Sequence, residues 1–545
     1  MTSAYARFGE VIIDYEKLSD QDRNYISRLL ETKQPDEIFN RIDLRYSPVV
    51  SVDELSEISK KAEFIYALYH FMNKEDIELS TNWRVYSTDL VNRICVCLRP
   101  IAGKWIWQQD NYVETKSRWR LQDEYRKAAR NLLNALEEIL EHLYPVFDSV
   151  DPQPIVEAIA TYLLPEDPWA LSESSRIAKS LIEMYTPVPF EQEDIGKKIL
   201  AETLRPIFKS AKHKNVSSAG RFSSSREHDL RNGLDSDDES PWTVQRPEAA
   251  SLLHFVLSSS DAKFMSDNWP LLVPSILAII DDPDPVYKTR GCSMLHLLLS
   301  KANAQFILVT GIAGIFWDAL MTCVAYLPLG SSNVTVTESV KLLDIAYTDL
   351  ILLSSIRSQD TGSKNTSTSL VTKIDDREMQ KQQSKYLGSI VMEGIYLGMR
   401  LCGEQVEIAN LLMDKLGIIA KSMGIFFVIY LQKVIEILVK ILSDPFGTAY
   451  PPLLHTTLST LNVVMESAAP RLTAYRFMIL KGLVFCWRQT CANDISEEML
   501  SLKDHLRATT TNLAVIVNKQ VGGCEWDKTV REVVKLDENL DMLFH

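Results

Sequence analysis

The sequence is short of glycine, with 20 in 545 residues. Folds assembled from many tight turns need glycine where the backbone turns left-handed. Its scarcity disfavours them and favours helices joined by short connections. A signal-peptide pattern is also missing, since Met1 to Tyr15 holds no apolar core of that kind. The eight cysteines are therefore expected as buried free thiols in a reducing compartment. Long hydrophobic runs are absent too. Phe306 to Leu329 is broken by Asp318, and Leu416 to Leu431 by Lys421. Neither reaches the roughly 20 uninterrupted apolar residues of a membrane span, so both are expected as core helices and no membrane partner is expected. Nor is there an excess of positive charge. With a net charge of −14 and a pI near 5.3, the chain is not expected to take nucleic acid as its main ligand. Asn-X-Ser/Thr triplets at Asn215, Asn333 and Asn365 carry no weight without secretion.

What is present is helical periodicity. Leu55, Ile58, Ala62, Ile65 and Tyr69 recur at steps of three and four, as do Leu132, Leu136, Ile139, Leu140 and Leu143. Leu431, Val434, Ile435, Leu438 and Leu442 repeat the pattern, and so do Ile495, Met499, Leu502 and Leu506. Each set lines one helix face. Ser51 to Glu54 supplies capping residues before the first stripe, and Thr335 with Glu338 has capping-box spacing before Val340 to Leu352. Period-two alternation is rare, with short extended pieces expected only near Leu44 to Val52.

Composition divides the chain. Residues 211–244 are rich in Ser, Lys, Arg and Asp and bury too little apolar surface to offset ordering entropy. They are expected as a disordered linker between an N-terminal helical domain, 1–210, and a C-terminal one, 245–545. A Ser/Thr-rich mobile loop is expected at 358–373. Just after the linker, Asn268 to Ile280 forms an apolar helix. Asp281-Asp282-Pro283-Asp284-Pro285 turns, and a second helix runs from Val286 through Leu298. Helix, Asp/Pro turn, Val, basic residue, helix is the pattern of a HEAT repeat. Pro starts a helix without losing a hydrogen bond, and Asp accepts from the first amides. At 545 residues the chain exceeds one compact core, and the expected fold class is all-α, a solenoid of HEAT-like helix pairs.

Catalytic patterns are missing. Cys95-Val96-Cys97 is not a zinc spacing. Cys292 and His296 lie four apart on one helix and are better read as a core thiol and a partly exposed imidazole than as metal ligands. No G-x-S-x-G elbow occurs, and Gly311 to Gly314 lacks the Lys and preceding strand of a phosphate loop, so it reads as a turn between helices. Neither metal nor cofactor is expected, and the chain reads as a non-enzyme. In the linker, Ser236 stands among Asp235, Asp237, Asp238 and Glu239, the pattern of acidic-directed kinases, which makes Ser236 a candidate phosphosite.

Several longer strings carry a family resemblance. Tyr287 to Leu299 reads YKTRGCSMLHLLL, and Gly311 to Leu327 reads GIAGIFWDALMTCVAYL. Glu338 to Leu352 reads ESVKLLDIAYTDLIL, Asp444 to Gly447 reads DPFG, and Pro470 to Trp487 reads PRLTAYRFMILKGLVFCW. Their succession over roughly residues 245–490 resembles the Tti-two family, the Tel-two-interacting proteins. The resemblance implies a non-catalytic scaffold of the TTT complex with Tti-one-type and Tel-two-type subunits. That complex works with heat-shock protein 90 and its adaptors to mature phosphatidylinositol-3-kinase-related kinases of the TOR, ATM and ATR type. It implies a cytoplasmic and nuclear location. The acidic tag around Ser236 also resembles one that the family associates with its Tel-two subunit. Within the last string, Pro470, Arg471, Arg476, Lys481 and Trp487 are the candidate partner-docking residues, on a helix whose Leu472, Phe477, Ile479, Leu480, Leu483 and Val484 are expected mostly as core. Two other readings share the fold: a HEAT-type transport or trafficking adaptor, and a regulatory subunit of a kinase or phosphatase.

Overall fold

The computed structural model describes residues 5–8, 11–14, 44, 50–74, 81–102, 116–143, 151–185, 195–208, 221, 242–329, 334–359, 376–492, 496–521 and 523–544. Most of the expected linker, with Ser236, and nearly all of the expected loop at 358–373 lie outside these residues; the linker's last residues, 242–244, belong to a short helix, Trp242–Gln245, and Ser358 itself ends a helix. The described residues are helical apart from one antiparallel hairpin, β1 (Tyr5–Phe8) and β2 (Val11–Asp14), that pairs Phe8 with Val11. The extended pieces expected near Leu44 to Val52 are not strands at the described positions, Leu44 and Val50 to Val52, and the first helix already begins at Val52.

The chain folds into two compact units, one running through Ser275 and the other beginning at Ile276. In the first, α1 (Val52–Lys74) opens on a reciprocal cap. Ser51 Oγ accepts from the Glu54 amide at 3.2 Å, and Glu54 Oε2 accepts from the Ser51 amide at 3.4 Å. Its stripe Leu55, Ile58, Ala62, Ile65, Tyr69 is buried. α2 (Thr81–Cys97) and α3 (Lys116–Leu143) follow, and α3 lies along α1. The polar groups trapped along that seam are paired: Asn131 Nδ2 donates to Ser59 Oγ at 2.8 Å and to Glu63 Oε1 at 2.9 Å, and His70 Nδ1 meets Glu138 Oε1 at 2.7 Å. α4 (Pro152–Ala160) and α5 (Ser172–Tyr185) complete this group.

The helices after the linker begin by joining the first unit. α6 (Ala249–Ser259) packs on α4, and Ser251 Oγ donates to the buried Asp167 Oδ2 at 2.7 Å. By packing, the division therefore falls inside α8 (Trp269–Ile280), which follows α7 (Ala262–Asp267), and not at residue 245.

The second unit shows the repeat geometry. Asp284 caps α9 (Pro285–Lys301) by accepting from the Val286 amide at 2.8 Å, with Pro285 at the first helical position. Two turns' worth of contacts then fix the angle between α8 and α9. Lys288, nearly fully buried, donates its ammonium to the Ile280 carbonyl at the end of α8 and lies over the Tyr326 ring at 4.8 Å. One turn on, Gly291 meets the Ile279–Ile280 backbone so closely that a Cβ would lie 2.7 Å from the Ile280 nitrogen. Gly311, at φ 70°, ends α10 (Ala304–Thr310) before α11 (Ala313–Val324), so the run Phe306 to Leu329 is divided between two short helices. Among the described residues no single helix is long and apolar enough to cross a membrane.

α12 (Val336–Ser358) starts on the expected capping box, with Thr335 and Glu338 bonded both ways at 2.9 and 3.3 Å. Next come α13 (Asp376–Ser389), continued through a π-helical turn into Leu397–Cys402, then α14 (Val406–Met423) and α15 (Leu431–Leu442). α16 (Pro451–Ser467), α17 (Arg476–Ala492), α18 (Glu497–Val521) and α19 (Gly523–Leu536) close the unit. One layer stacks α9, α12, α14, α16 and α18 in succession. The other places α11 and α13 on α12, α15 on α16, and α17 on α18, with α15 also against α17. Each helix pair buries its apolar face on the next pair, which is the logic of an α-solenoid.

Candidate partner-docking face

α17 and the short helix just before it, Ala469–Leu472, carry the expected docking residues. Pro470 and Arg471 are exposed. Arg476 is half-buried: its Nη1 donates to the Thr473 carbonyl at 2.8 Å and its guanidinium lies 4.4 Å from the Phe477 ring. Lys481 is exposed, its ammonium 5.9 Å from the Phe485 ring. Trp487 does not belong with them. It is 1 % exposed, its indole N–H donates to the Asn539 carbonyl at 3.3 Å, and Arg507 covers its ring at 5.2 Å. It is a core anchor for the C-terminal end of the chain.

Two other aromatic residues take its place at the surface. Phe477 is 56 % exposed and Phe485 43 % exposed. With Lys481 they stand at i, i+4 and i+8 on α17, and Met478 borders them. Assigning Phe477 to the core by residue type was an error of helix phase. Lys481 and Arg488, seven apart, already mark the outer stripe, and the two phenylalanines flank Lys481 by four on either side. The stretch Ser467 to Asn493 contains Arg471, Arg476, Lys481 and Arg488 and no acidic residue, in a chain of net charge −14. Arg488 is engaged by Asp537 at 3.3 Å. The result is a basic, aromatic ridge on an acidic protein, and Tyr, Trp, Phe, Met and Arg are the residues enriched at interface cores.

Three further pairs of chemistry-bearing side chains stand out among the described residues. His296 Nδ1 meets the fully buried Asp349 at 2.7 Å, and burial pushes that carboxyl up to about 7. Cys292 does not share a ligand with His296. Its sulfur faces Cys323 at 3.8 Å, and that sulfur together with burial pushes the Cys292 thiol well up. His455 and His505 stack with Nδ1 atoms 3.1 Å apart, and burial lowers His505, helped by His455. Among the described residues, no group of three or more His, Cys, Asp or Glu is placed to hold a metal ion. The described cysteines are free thiols, all buried except Cys491.

Helix pairs stacked in two layers define a helical-repeat protein of the α-solenoid class. The chain belongs to the Tti2 family, whose model matches residues 155–449. Among solved structures, the karyopherin Kap121p is similar at 11 % identity and a TM-score of 0.40, over 91 % of this chain and 46 % of that one. Kap121p bound to the SUMO protease Ulp1p gives 12 % and 0.39, over 92 % and 39 %. The SYS-1/POP-1 complex gives 13 % and 0.32, over 94 % and 88 %. The chain thus spans less than half the length of the karyopherin chains.

Proposed function

We propose that this chain is a non-catalytic scaffold subunit of the TTT complex. In that role it assists heat-shock-protein-90-dependent maturation of phosphatidylinositol-3-kinase-related kinases of the TOR, ATM and ATR type, in cytoplasm and nucleus. The observation that carries this reading is the Tti2-family match over residues 155–449, joined to a solenoid of stacked helix pairs. Solenoids suit the task because they offer long continuous surfaces. The ridge Phe477–Lys481–Phe485, with Arg471 and Arg476 beside it, is assigned to the Tti-one-type subunit, and the tag at Ser236 to a heat-shock-protein-90 adaptor.

Affinity purification of the tagged chain with quantitative mass spectrometry tests the assignment. Stoichiometric recovery of Tti-one-type and Tel-two-type subunits is expected, and their absence sinks it. Replacing Phe477 and Phe485 together by Glu is expected to remove the Tti-one-type subunit while the chain stays folded. Ser236→Ala is expected to lower adaptor recovery; unchanged recovery leaves the acidic run without a reader.

A further inference from the structure

The thiol pair Cys292 and Cys323 has no part in the docking face. Cys292 lies on α9, one residue after the close contact at Gly291, and Cys323 lies on α11. Both side chains are fully buried. The Cys292 thiol donates to Cys323 Sγ at 3.8 Å, and the Cys323 thiol donates to the Ala319 carbonyl at 3.3 Å. A disulfide holds its sulfurs about 2.05 Å apart, so the two must draw closer by roughly 2 Å to bond.

The pair is asymmetric. The bond from Cys292 lowers the Cys323 thiol against the opposing effect of burial, and the Lys288 ammonium, one turn before Cys292, adds to it. The same bond and burial raise Cys292, as do the charges of Cys323 and Asp349. Thiolate character decides which sulfur attacks an oxidant, so Cys323 is the nucleophile and Cys292 the resolving thiol. Burial decides which oxidant reaches them. A bulky disulfide such as glutathione disulfide finds neither sulfur at the surface, whereas hydrogen peroxide is little larger than water. Peroxide also has a polar stop beside the pair. Asp349, fully buried, meets the partly exposed His296 through Oδ1, and its Oδ2 has no hydrogen-bond partner among the described residues. Peroxide can donate to that oxygen, and the charge on Asp349 is close enough to act on Cys292.

We propose that Cys292 and Cys323 are a redox clasp, converted by hydrogen peroxide into a disulfide that ties α9 to α11. First, the Cys323 sulfur attacks one peroxide oxygen. The S–O bond forms, the O–O bond breaks, and the released hydroxide takes the Cys323 proton and leaves as water. Second, the Cys292 sulfur attacks the Cys323 sulfenic acid. The S–S bond forms, the S–O bond breaks, and hydroxide leaves with the Cys292 proton as a second water. The thiols lose two electrons in all, and one peroxide is reduced to two waters. A dithiol reductant reverses the bond by thiol–disulfide exchange. The cysteines stand 31 positions apart, so the bond closes a long loop in the unfolded chain and favours the folded one. The pair lies inside the stretch 155–449 matched by the family, and the inference does not depend on membership of the TTT complex.

The test treats the full chain with hydrogen peroxide, blocks remaining thiols by alkylation and maps the tryptic peptides by mass spectrometry. Cleavage after Arg290, Lys301 and Lys341 leaves each cysteine alone in its own peptide, 291–301 and 302–341. A cross-linked pair of those peptides, lost on treatment with dithiothreitol, is expected from the folded chain. The oxidised chain is expected to melt several degrees above the reduced one. Glutathione disulfide is expected to modify the exposed Cys491 and to leave the pair reduced. In Cys292→Ala the resolving thiol is gone, and dimedone is expected to trap a sulfenic acid on Cys323. In Cys323→Ala none is expected on Cys292. No cross-link at peroxide doses that oxidise Cys491, or a cross-link that forms only in urea, overturns the proposal. So does an oxidised chain that melts no higher, a pair that glutathione disulfide modifies as fast as Cys491, or trapping on Cys292 instead of Cys323. The cross-link is read on the natural sequence, so an alanine variant that fails to fold leaves the test intact. Loss of TTT subunits from purifications leaves these outcomes unchanged, so the two readings fail separately.

Discussion

Gly291→Ala tests the geometry of the repeat at its tightest point. Alanine is the better helix former by about 1 kcal/mol, so propensity alone raises stability. The structure opposes this. A Cβ at residue 291 would stand 2.7 Å from both the backbone nitrogen and Cγ1 of Ile280, and 3.0 Å from the Ile279 carbonyl carbon. A backbone nitrogen inside a helix cannot swing aside as a side-chain tip can, so α9 must retreat from α8. Overpacking of this kind costs about 1–3 kcal/mol. Retreat also stretches the Lys288 bond to the Ile280 carbonyl, a charge-assisted bond contributing about 1.5–3 kcal/mol. Net destabilisation of about 1–3 kcal/mol follows, which lowers the melting temperature by roughly 2–4 °C per kcal/mol in a unit of this size. Gly314→Ala supplies the control, because Gly314 sits in α11 and a Cβ there would have no atom within 4 Å of it. That change is expected to raise stability by a few tenths to about 1 kcal/mol. Scanning calorimetry of the full chain measures both, and amide exchange at Ile280 and Lys288 localises the first. If Gly291→Ala melts at or above the wild type, the proposed close contact of α8 with α9 is wrong.

Three further outcomes follow from the packing and the buried pairs. Trp487→Ala is expected to cost about 3–5 kcal/mol of stability, as for a fully buried indole, whereas Phe477→Ala costs little and acts on binding; chemical denaturation separates them. The Asp349 carboxyl is raised from its ordinary 3.8 to about 7, so the folded state holds that proton more tightly than the unfolded one. The contribution of this carboxyl is therefore full below pH 3.8 and is lost as pH rises toward 7, by up to about 1.4 kcal/mol per pH unit. Asp349→Asn is expected to have a shallower fall across that window than the wild type, in urea titrations run at each pH. His505 is shifted the other way, below 6.5, so its contribution is full above 6.5 and lost as pH falls through the depressed value. Charge on either imidazole then repels its neighbour across the α16–α18 seam, and replacing His455 and His505 together by Gln is expected to remove that acid sensitivity.

Much of the solenoid is legible in the sequence because its signals are local. The capping pairs Ser51 with Glu54 and Thr335 with Glu338, and the Asp-Pro turn before α9, act within one helical turn, and they fold as read. The division of the chain is not local. Composition marks residues 211–244 as a break, yet α6 is held to the first unit by Ser251 and Asp167, which lie 84 residues apart. Nothing near Ser251 announces Asp167. The π-helical Ile390–Tyr396 and the 3₁₀ segment Gly424–Tyr430 are equally silent, because IVMEGIY and GIFFVIY have ordinary helical or apolar composition. Both segments pack on α14, so their surroundings come from residues distant in sequence.

The docking ridge shows where reading by residue type fails and reading by phase succeeds. In RFMILKGLVFCWRQT the apolar residues occupy more than one stripe, so hydrophobicity alone cannot choose the inner face. The charged residues can. A helix with an apolar inner face tolerates Lys481 and Arg488 only on the outer one, and 3.6 residues per turn then fixes every other position. Ile479, Leu480, Leu483, Cys486 and Trp487 rotate inward, and Phe477, Met478 and Phe485 rotate out. Phe477 and Phe485 keep about half of their surface in water beside Arg476 and Lys481, so part of their burial energy goes unused in the monomer. A covering partner would recover that surface, so under the proposed function Phe477 and Phe485, rather than Trp487, are the side chains on which partner binding is expected to turn.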